Sequence, residues 1–336
     1  MTDIERIDLI CADFESLLRG NNFAYDCPCW QESLESLRTR YWYESLKQRF
    51  SLSGPAQMEA YLEPCAVKWT EDGRKKHSAN KWGRYRDGGR LRRTTLVKVE
   101  RNAPGSMRVF NHPLWDVLDF NNKEVMAEAA LLRLFSEGIK IDLFKENPVG
   151  INSYVERVPV NRFLLRKLEF RADLDVLACL TWLLREAAAS KCSNVEAIGN
   201  SLHKVLLMMA LELHALKVAV PLLQHFIDKV LPLGLQRYHQ VAITPVQYLE
   251  LSGALNKLAY RVRGQPKALQ WKSRVRNMCR LLNGEFGLDV PLAMALPTEP
   301  DGKFTWIPSK VIKQFRTLAW SRDYGGKRIF CEEHEN

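Results

Sequence analysis

The chain has no run of about 18 uncharged apolar residues, the length that an α-helix needs to cross a bilayer. Its most apolar segment, 205–227, is interrupted by Glu212, Lys217 and Pro221. The first eight residues carry three acids, whereas a secretory leader begins with basic residues followed by an apolar run. These absences predict a soluble, cytoplasmic protein that does not contact a membrane.

Familiar catalytic signatures are also missing. The sequence contains no Gly-x-Gly-x-x-Gly fingerprint, no Gly-x-x-x-x-Gly-Lys-Ser/Thr loop and no Gly-x-Ser-x-Gly elbow. Asp116 with Asp119, and Asp173 with Asp175, are acidic pairs that could hold magnesium, but a nuclease site needs carboxylates that converge from several elements. We therefore predict no cofactor and no catalytic residue, and the sequence favours a protein that is not an enzyme.

The spacing of the potential metal ligands is poor. Cys27 and Cys29 are separated by one residue, with Cys65 and His77 further along, whereas structural zinc sites use pairs separated by two to four residues. Three histidines recur every eleven residues: His203, His214 and His225. On one helix they would be about 16 Å apart, too far to share an ion, so we interpret them as core or helix-surface residues. We predict no bound metal.

Apolar periodicity predicts an α+β protein that is mainly α. We expect a mixed α+β domain over 1–160, with a basic β-hairpin, and an all-helical domain over 161–336. Helical spacing of apolar residues, with capping and stop signals, marks the expected helices: 3–19, 31–50, 56–62, 123–136, 173–190, 194–217, 220–231, 245–262, 266–283 and 309–320. Further strands are predicted near 65–69, 107–110, 139–144 and 151–158.

The β-hairpin is expected over residues 81–101. Asp87-Gly88-Gly89 is a turn signal, and β-branched residues are frequent in the segment after it. Five arginines crowd this turn and alternate with Trp82 and Tyr85: Arg84, Arg86, Arg90, Arg92 and Arg93. Arginine makes bidentate phosphate contacts and aromatic rings stack on unpaired bases, so the hairpin is a candidate nucleic-acid contact. The alternative is a surface hairpin whose aromatic residues belong to the core.

Positive charge is concentrated in three stretches of a chain whose net charge is +10. Residues 68–101 hold twelve Lys or Arg and four acids, residues 251–284 hold eight and no acid, and residues 303–328 hold seven and one acid. Residues 1–63 hold eleven acids and six bases. A solvated surface normally mixes signs, so a stretch without a carboxylate favours contact with phosphates.

The helix expected at 266–283 carries a basic row beside an apolar face. Lys272, Arg276 and Arg280 follow at a spacing of four, which places them along about 12 Å of one face. Such a row can follow a nucleic-acid backbone, or it can pack on an acidic surface within the protein. Together with Arg261 and Arg263, the row and the hairpin arginines make up the predicted binding residues.

These patterns lead to a ranked set of functions. The first is a non-catalytic nucleic-acid-binding protein, a component of a larger nucleoprotein assembly, which binds DNA or RNA through backbone electrostatics. The alternatives are an interaction adaptor that docks acidic protein partners, and a nucleic-acid-processing enzyme such as a nuclease whose site forms only in three dimensions. We expect 68–101 and 251–284 to share one positive surface.

Overall fold

The computed structural model describes residues 33–64, 68–69, 75–76, 80–127, 133–149, 152–262 and 270–331. Over these residues the protein is mainly helical, with three two-stranded antiparallel sheets, which confirms the α+β, mainly α class. No helix in the described part of the chain has the length and apolar character needed to cross a bilayer. The predicted helix at 3–19, the cysteines at 27, 29 and 65, His77 and Arg263 lie outside the described residues.

The elements before residue 160 are short apart from the first helix. They run in this order: α1 (Leu34–Arg49), α2 (Pro55–Leu62), β1 (Lys68–Trp69), β2 (Lys75–Lys76), α3 (Lys81–Arg86), α4 (Arg93–Asn102), α5 (Ser106–Phe110), α6 (Pro113–Leu118), a 3-10 turn (Glu124–Met126), α7 (Glu137–Leu143), β3 (Phe144–Val149) and β4 (Asn152–Arg157). Ser33 caps the N-terminus of helix α1, and its Oγ accepts a hydrogen bond from the Ser36 amide at 3.2 Å. The expected helices at 31–50 and 56–62 are confirmed.

The β-hairpin predicted over 81–101 is wrong, because the segment forms helices α3 and α4 instead. Trp82 and Tyr85 are three residues apart and both are buried, and Leu96 and Val99 repeat this spacing in α4. A helical face that buries large side chains outweighs the β propensity of the neighbouring threonines and valines. The predicted turn exists, with Gly88 at φ +82°, but it joins two helices.

Two further strand predictions are also wrong. Residues 107–110 belong to α5, and residues 139–143 belong to α7, where Ile139 and Leu143 lie one helical turn apart and are both buried. The strand expected at 151–158 is confirmed as β4, which pairs with β3 in an antiparallel register from Phe144 opposite Arg157 to Val149 opposite Asn152.

The second half follows the predicted helices closely. Its elements are α8 (Arg162–Glu169), α9 (Leu174–Ala189), α10 (Val195–Ala215), α11 (Ala219–His225), a π turn (Phe226–Val230), a 3-10 turn (Leu231–Gly234), β5 (His239–Val241), α12 (Pro245–Arg261), α13 (Trp271–Leu282), α14 (Asp289–Ala293), β6 (Thr298–Pro300) and α15 (Ser309–Cys331). Thr244 and Gln247 form a capping box at the start of α12. The expectation of an all-helical half was wrong in one respect, since β5 pairs with β6.

Buried apolar side chains form two clusters. The larger cluster surrounds α9 and α10, and the fully buried Trp182 donates its indole N–H to the Val125 carbonyl at 2.8 Å. The smaller cluster contains ten buried residues from α1, α2, α3, α4 and Ala103, and includes Trp42 stacked on Trp82 at 5.9 Å. The larger cluster takes side chains from both sides of residue 160, and the domain boundary there stays a prediction.

A close glycine contact sets the position of α10. A Cβ built on Gly199 would lie 3.0 Å from the Cα of Gly234, so α10 and the 3-10 turn that ends at Gly234 touch through their backbones. We expect Gly199→Ala to lower the free energy of unfolding by about 1–3 kcal/mol, because the overpacking outweighs alanine's higher helix propensity. Urea denaturation measures this. Gly302→Ala is the control, since a Cβ at Gly302 would meet no atom within 4 Å. Equal stability of both variants would contradict the expectation.

Candidate functional site

A cleft of about 880 Å³ lies between α1, α3, α6 and the segment that leads into α4. The side chains around it come from both core clusters and include five arginines and three acids. The lining residues are Leu34, Glu35, Arg38, Arg84, Tyr85, Gly89, Arg90, Leu91, Arg92, Arg93, Phe110, Trp115, Asp116 and Asp119. Four of the predicted binding residues therefore meet around one concave surface, although the segment that carries them forms two helices and a turn instead of a hairpin.

The local fold explains why these arginines face solvent. Helix α3 buries Trp82 and Tyr85, which directs Arg84 outward, and the Gly89 amide donates to the Arg84 carbonyl at 2.6 Å to close the turn. Arg90, Arg92 and Arg93 follow on the exposed segment after that turn. Their guanidinium groups are therefore available to a ligand in the cleft.

Few carboxylates neutralise these charges. Arg90 Nε lies 3.7 Å from Glu35 Oε1, in a pair that is largely exposed. No carboxylate among the described residues forms an ion pair with Arg84, Arg92 or Arg93. Arg86 differs from them, because its guanidinium binds Asp87 at 2.8 Å and it does not line the cleft. The structure therefore gathers four of the five arginines around the cleft and places Arg86 apart from them, and their role in nucleic-acid binding stays a prediction.

Arg38 is a cleft residue that the sequence did not reveal. Its Nε donates to the Phe110 carbonyl and its Nη2 to Asn111 Oδ1, both at 2.5 Å, and its guanidinium lies 4.2 Å from the centre of the Phe110 ring. Burial lowers the pKa of Arg38, while Asp116 and Glu35 oppose this shift. Arg38 is thus a fixed cation in the cleft wall, in contrast to the exposed arginines opposite.

The acids of the cleft do not form a metal site. Burial raises the pKa of Asp116, and the charge of Arg38 acts in the opposite direction. Asp119 accepts a hydrogen bond from the Asn121 amide at 2.9 Å. Within the described ranges, no three His, Cys, Asp or Glu side chains come close enough together to hold an ion.

Ser136, His112 and Asp175 lie close together near the cleft, but their hydrogen bonds differ from those of a catalytic triad. Asp175 accepts from Ser136 Oγ at 2.6 Å and from His112 Nε2 at 2.9 Å, while His112 Nδ1 accepts from the Leu114 amide at 3.2 Å. These bonds, led by that of His112, lower the pKa of Asp175 to about 2. Serine and histidine both bind the same carboxylate, so no base activates the serine. The contact joins α6 to α9 and supports the cleft wall.

The basic row on α13 is only partly available. Lys272 and Arg276 are exposed, whereas Arg280 Nε pairs with Glu285 at 2.7 Å and its guanidinium lies 4.6 Å from the Phe286 ring centre. Arg280 thus differs from the other two cations of the row, and contact of the row with nucleic acid stays a prediction. A charged residue in the same helix, Arg274, is buried and binds Glu212 of α10. Carboxylates from other segments therefore neutralise two of the basic residues of 251–284, a segment that contains no acid itself.

The two basic stretches belong to different packing units. Helices α3 and α4 pack on α1, α2 and α5 around the smaller cluster, whereas α12 and α13 pack on α10 in the larger one. Arg261 is exposed in the last turn of α12. A shared positive surface over 68–101 and 251–284 stays a prediction.

The three spaced histidines lie in the helical core, as expected. His203 is buried, with Nδ1 2.7 Å from the Tyr248 hydroxyl and Nε2 2.8 Å from the Met294 carbonyl. Burial lowers its pKa to about 4, so it is neutral at pH 7. His214 is buried as well, and the half-buried His225 has Nε2 3.1 Å from the Leu118 carbonyl. These side chains connect elements of the core.

No protein-family model, curated protein or solved structure matches this chain.

Proposed function

We propose that this protein is a non-catalytic nucleic-acid-binding protein, a component of a larger nucleoprotein assembly, and that the arginine cleft is its main contact with the phosphate backbone. One observation carries the proposal: Arg84, Arg92 and Arg93 line one cleft, exposed and with no ion pair to any described carboxylate. Like charges repel, so gathering them without counter-charges favours a polyanionic ligand.

The exposed arginine side chains are not held in fixed orientations by the described residues, and this favours contact with phosphates over contact with base edges. Reading a base edge requires a guanidinium held in a defined orientation, as Arg38 is by Phe110 and Asn111. Arg84, Arg92 and Arg93 have no such support among the described residues, and flexible cations suffice for backbone contacts that carry no sequence information. Binding should therefore depend strongly on salt and weakly on sequence.

Direct binding measurements test the proposal. Fluorescence anisotropy with labelled 20-mers of single-stranded DNA, single-stranded RNA and duplex DNA should show binding whose logarithmic affinity falls linearly with the logarithm of salt concentration. Four phosphate contacts correspond to a slope of about 3–4. Absence of binding to all three oligonucleotides at low salt would refute the proposal.

Two additions to that experiment separate the alternative functions. Unlabelled polyglutamate that displaces the oligonucleotides at equal charge concentration would favour the adaptor for acidic protein partners. Shortening of the oligonucleotides after addition of magnesium, seen by gel electrophoresis, would favour the nuclease. The proposal predicts weak displacement and intact oligonucleotides.

A further inference from the structure

The long C-terminal helix α15 packs against α14 and against the sheet formed by β5 and β6. Phe315 is buried, and Gly325 lies so close to α14 that a Cβ there would be 2.5 Å from the Asp289 carbonyl oxygen. This contact turns the opposite face of α15 to solvent. Five of the exposed residues on that face, which we call the outer stripe, follow at spacings of three or four: Lys313, Arg316, Trp320, Tyr324 and Lys327. Two other exposed residues, Thr317 and Asp323, border the stripe on either side.

Two aromatic rings lie in the middle of the outer stripe. Trp320 and Tyr324 are 66% and 44% exposed, and their rings stack at a centroid distance of 5.5 Å and an angle of 21°. Their positions four residues apart place them side by side on the helix. Two large exposed rings that lie side by side form a contiguous apolar patch, and such patches favour contact with a partner.

Cations flank these rings on both sides along the helix axis. Lys313 and Arg316 precede the rings and Lys327 follows them, so the stripe spans about 21 Å of helix. Arg328 lies beside the stripe, with its guanidinium 5.8 Å from the Tyr324 ring centre and 3.7 Å from Asp289. The one acid in the sequence of α15 is Asp323.

We propose that the outer stripe of α15 is a stacking platform for single-stranded nucleic acid. This inference rests on the proposed function and narrows its ligand to unpaired strands. Every base has a flat face that can stack on Trp320 or Tyr324, and the flanking cations meet the phosphates on either side. A duplex keeps its bases stacked on one another, so the rings add nothing to duplex binding.

The charge pattern argues against two other occupants. A second copy of the chain would bring two stripes of the same sign together, which is unfavourable. A helix that lies on a membrane segregates its charges to the face opposite its apolar residues. Here Arg316 and Lys327 share a face with Trp320, so inserting the ring would carry cations toward the acyl chains.

The double variant Trp320→Ala/Tyr324→Ala tests this inference. Its affinity for fluorescein-labelled oligothymidine of 15 nucleotides should fall by about 30-fold or more relative to the parent protein, because two stacked bases are lost. Affinity for a duplex of equal length should stay within about twofold. Trp320→Phe/Tyr324→Phe keeps both ring faces and should retain most of the single-strand affinity. Both ring positions are exposed, and circular dichroism with thermal melting checks that the fold is unchanged.

A matched variant controls for the loss of an exposed ring. Trp306 is 71% exposed and precedes α15, so Trp306→Ala should leave oligothymidine binding unchanged. Equal loss in Trp306→Ala, or parent-like binding by the double variant, would overturn the platform while the proposed function stands. Absence of all nucleic-acid binding by the parent would overturn both. Loss of binding to anionic lipid vesicles in the double variant, with oligothymidine binding unchanged, would assign the stripe to a membrane instead.

Discussion

Replacing Arg84, Arg90, Arg92 and Arg93 together by alanine is expected to weaken nucleic-acid binding about a thousandfold at 0.1 M salt. If each guanidinium neutralises one phosphate, four counterion-release events disappear. The slope of log affinity against log salt then falls by about 3.6 for duplex DNA and about 2.8 for single strands. Anisotropy titrations at five salt concentrations measure the slope directly.

The same four positions supply a charge-matched control. Lysine at all four keeps the charge, so that variant should retain most of the slope while it loses the bidentate contacts. The arginines are exposed, and thermal melting should therefore be nearly unchanged in either variant. An alanine variant that is stably folded and has the slope of the parent would remove the cleft from the binding surface.

The pair Lys272→Ala/Arg276→Ala probes α13 in the same titration. Arg280 is left in place because it is held by Glu285 and Phe286. If the row contacts the backbone, the slope falls by about 2. If the salt slope of this pair variant equals that of the parent while the slope of the cleft variant falls, α13 lies outside the binding surface.

Acidification should destabilise the protein through His203. Its pKa is about 4 in the folded protein and 6.5 for the free side chain, so the unfolded chain takes up the proton first as the pH falls. The buried neutral imidazole therefore makes a contribution to the free energy of unfolding. This contribution is fully present above pH 6.5 and is lost as the pH falls from 6.5 toward 4. Between pH 7 and pH 4.5 the loss from this residue is about 2 kcal/mol.

The variant His203→Gln isolates that contribution. Glutamine keeps a donor and an acceptor near Tyr248 and Met294 but does not titrate, so the variant should be less stable than the parent at pH 7. The difference between the two free energies of unfolding should narrow by about 2 kcal/mol at pH 4.5. Urea denaturation at both pH values measures it, and parallel pH profiles would show that His203 does not titrate in this range.

The helices of the second half could be predicted from sequence because their signals are local. Thr244-Pro245 marks the start of α12, and the apolar face of α13 from Trp271 to Leu282 repeats at helical spacing. The segment 81–101 could not be assigned in this way. Threonine and valine favour a strand locally, and the helix forms because Leu96 and Val99 are buried against distant residues of α1 and α2.

The candidate site shows the same division between local and distant information. The four exposed arginines stand out because they crowd a short segment, whereas Arg38 lies in an acidic region and reaches the cleft only because α1 packs beside α5. The acids that form ion pairs with basic residues can also lie far away in the sequence. Glu212 neutralises Arg274 across 62 residues, so a stretch without acids overstates the charge that reaches the surface.

The division of the core into two clusters has a consequence for local unfolding. Helices α3 and α4, with their arginines, belong to a unit of ten buried residues, whereas Trp115 on the other wall of the cleft belongs to the larger cluster. A unit with few buried contacts opens more readily, and its amide hydrogens exchange at a lower free energy. A strand bound across the cleft would tie the two units together and stabilise the smaller one in proportion to its occupancy. Amide protection of α3 and α4 would then rise with ligand concentration while that of α9 and α10 changes little.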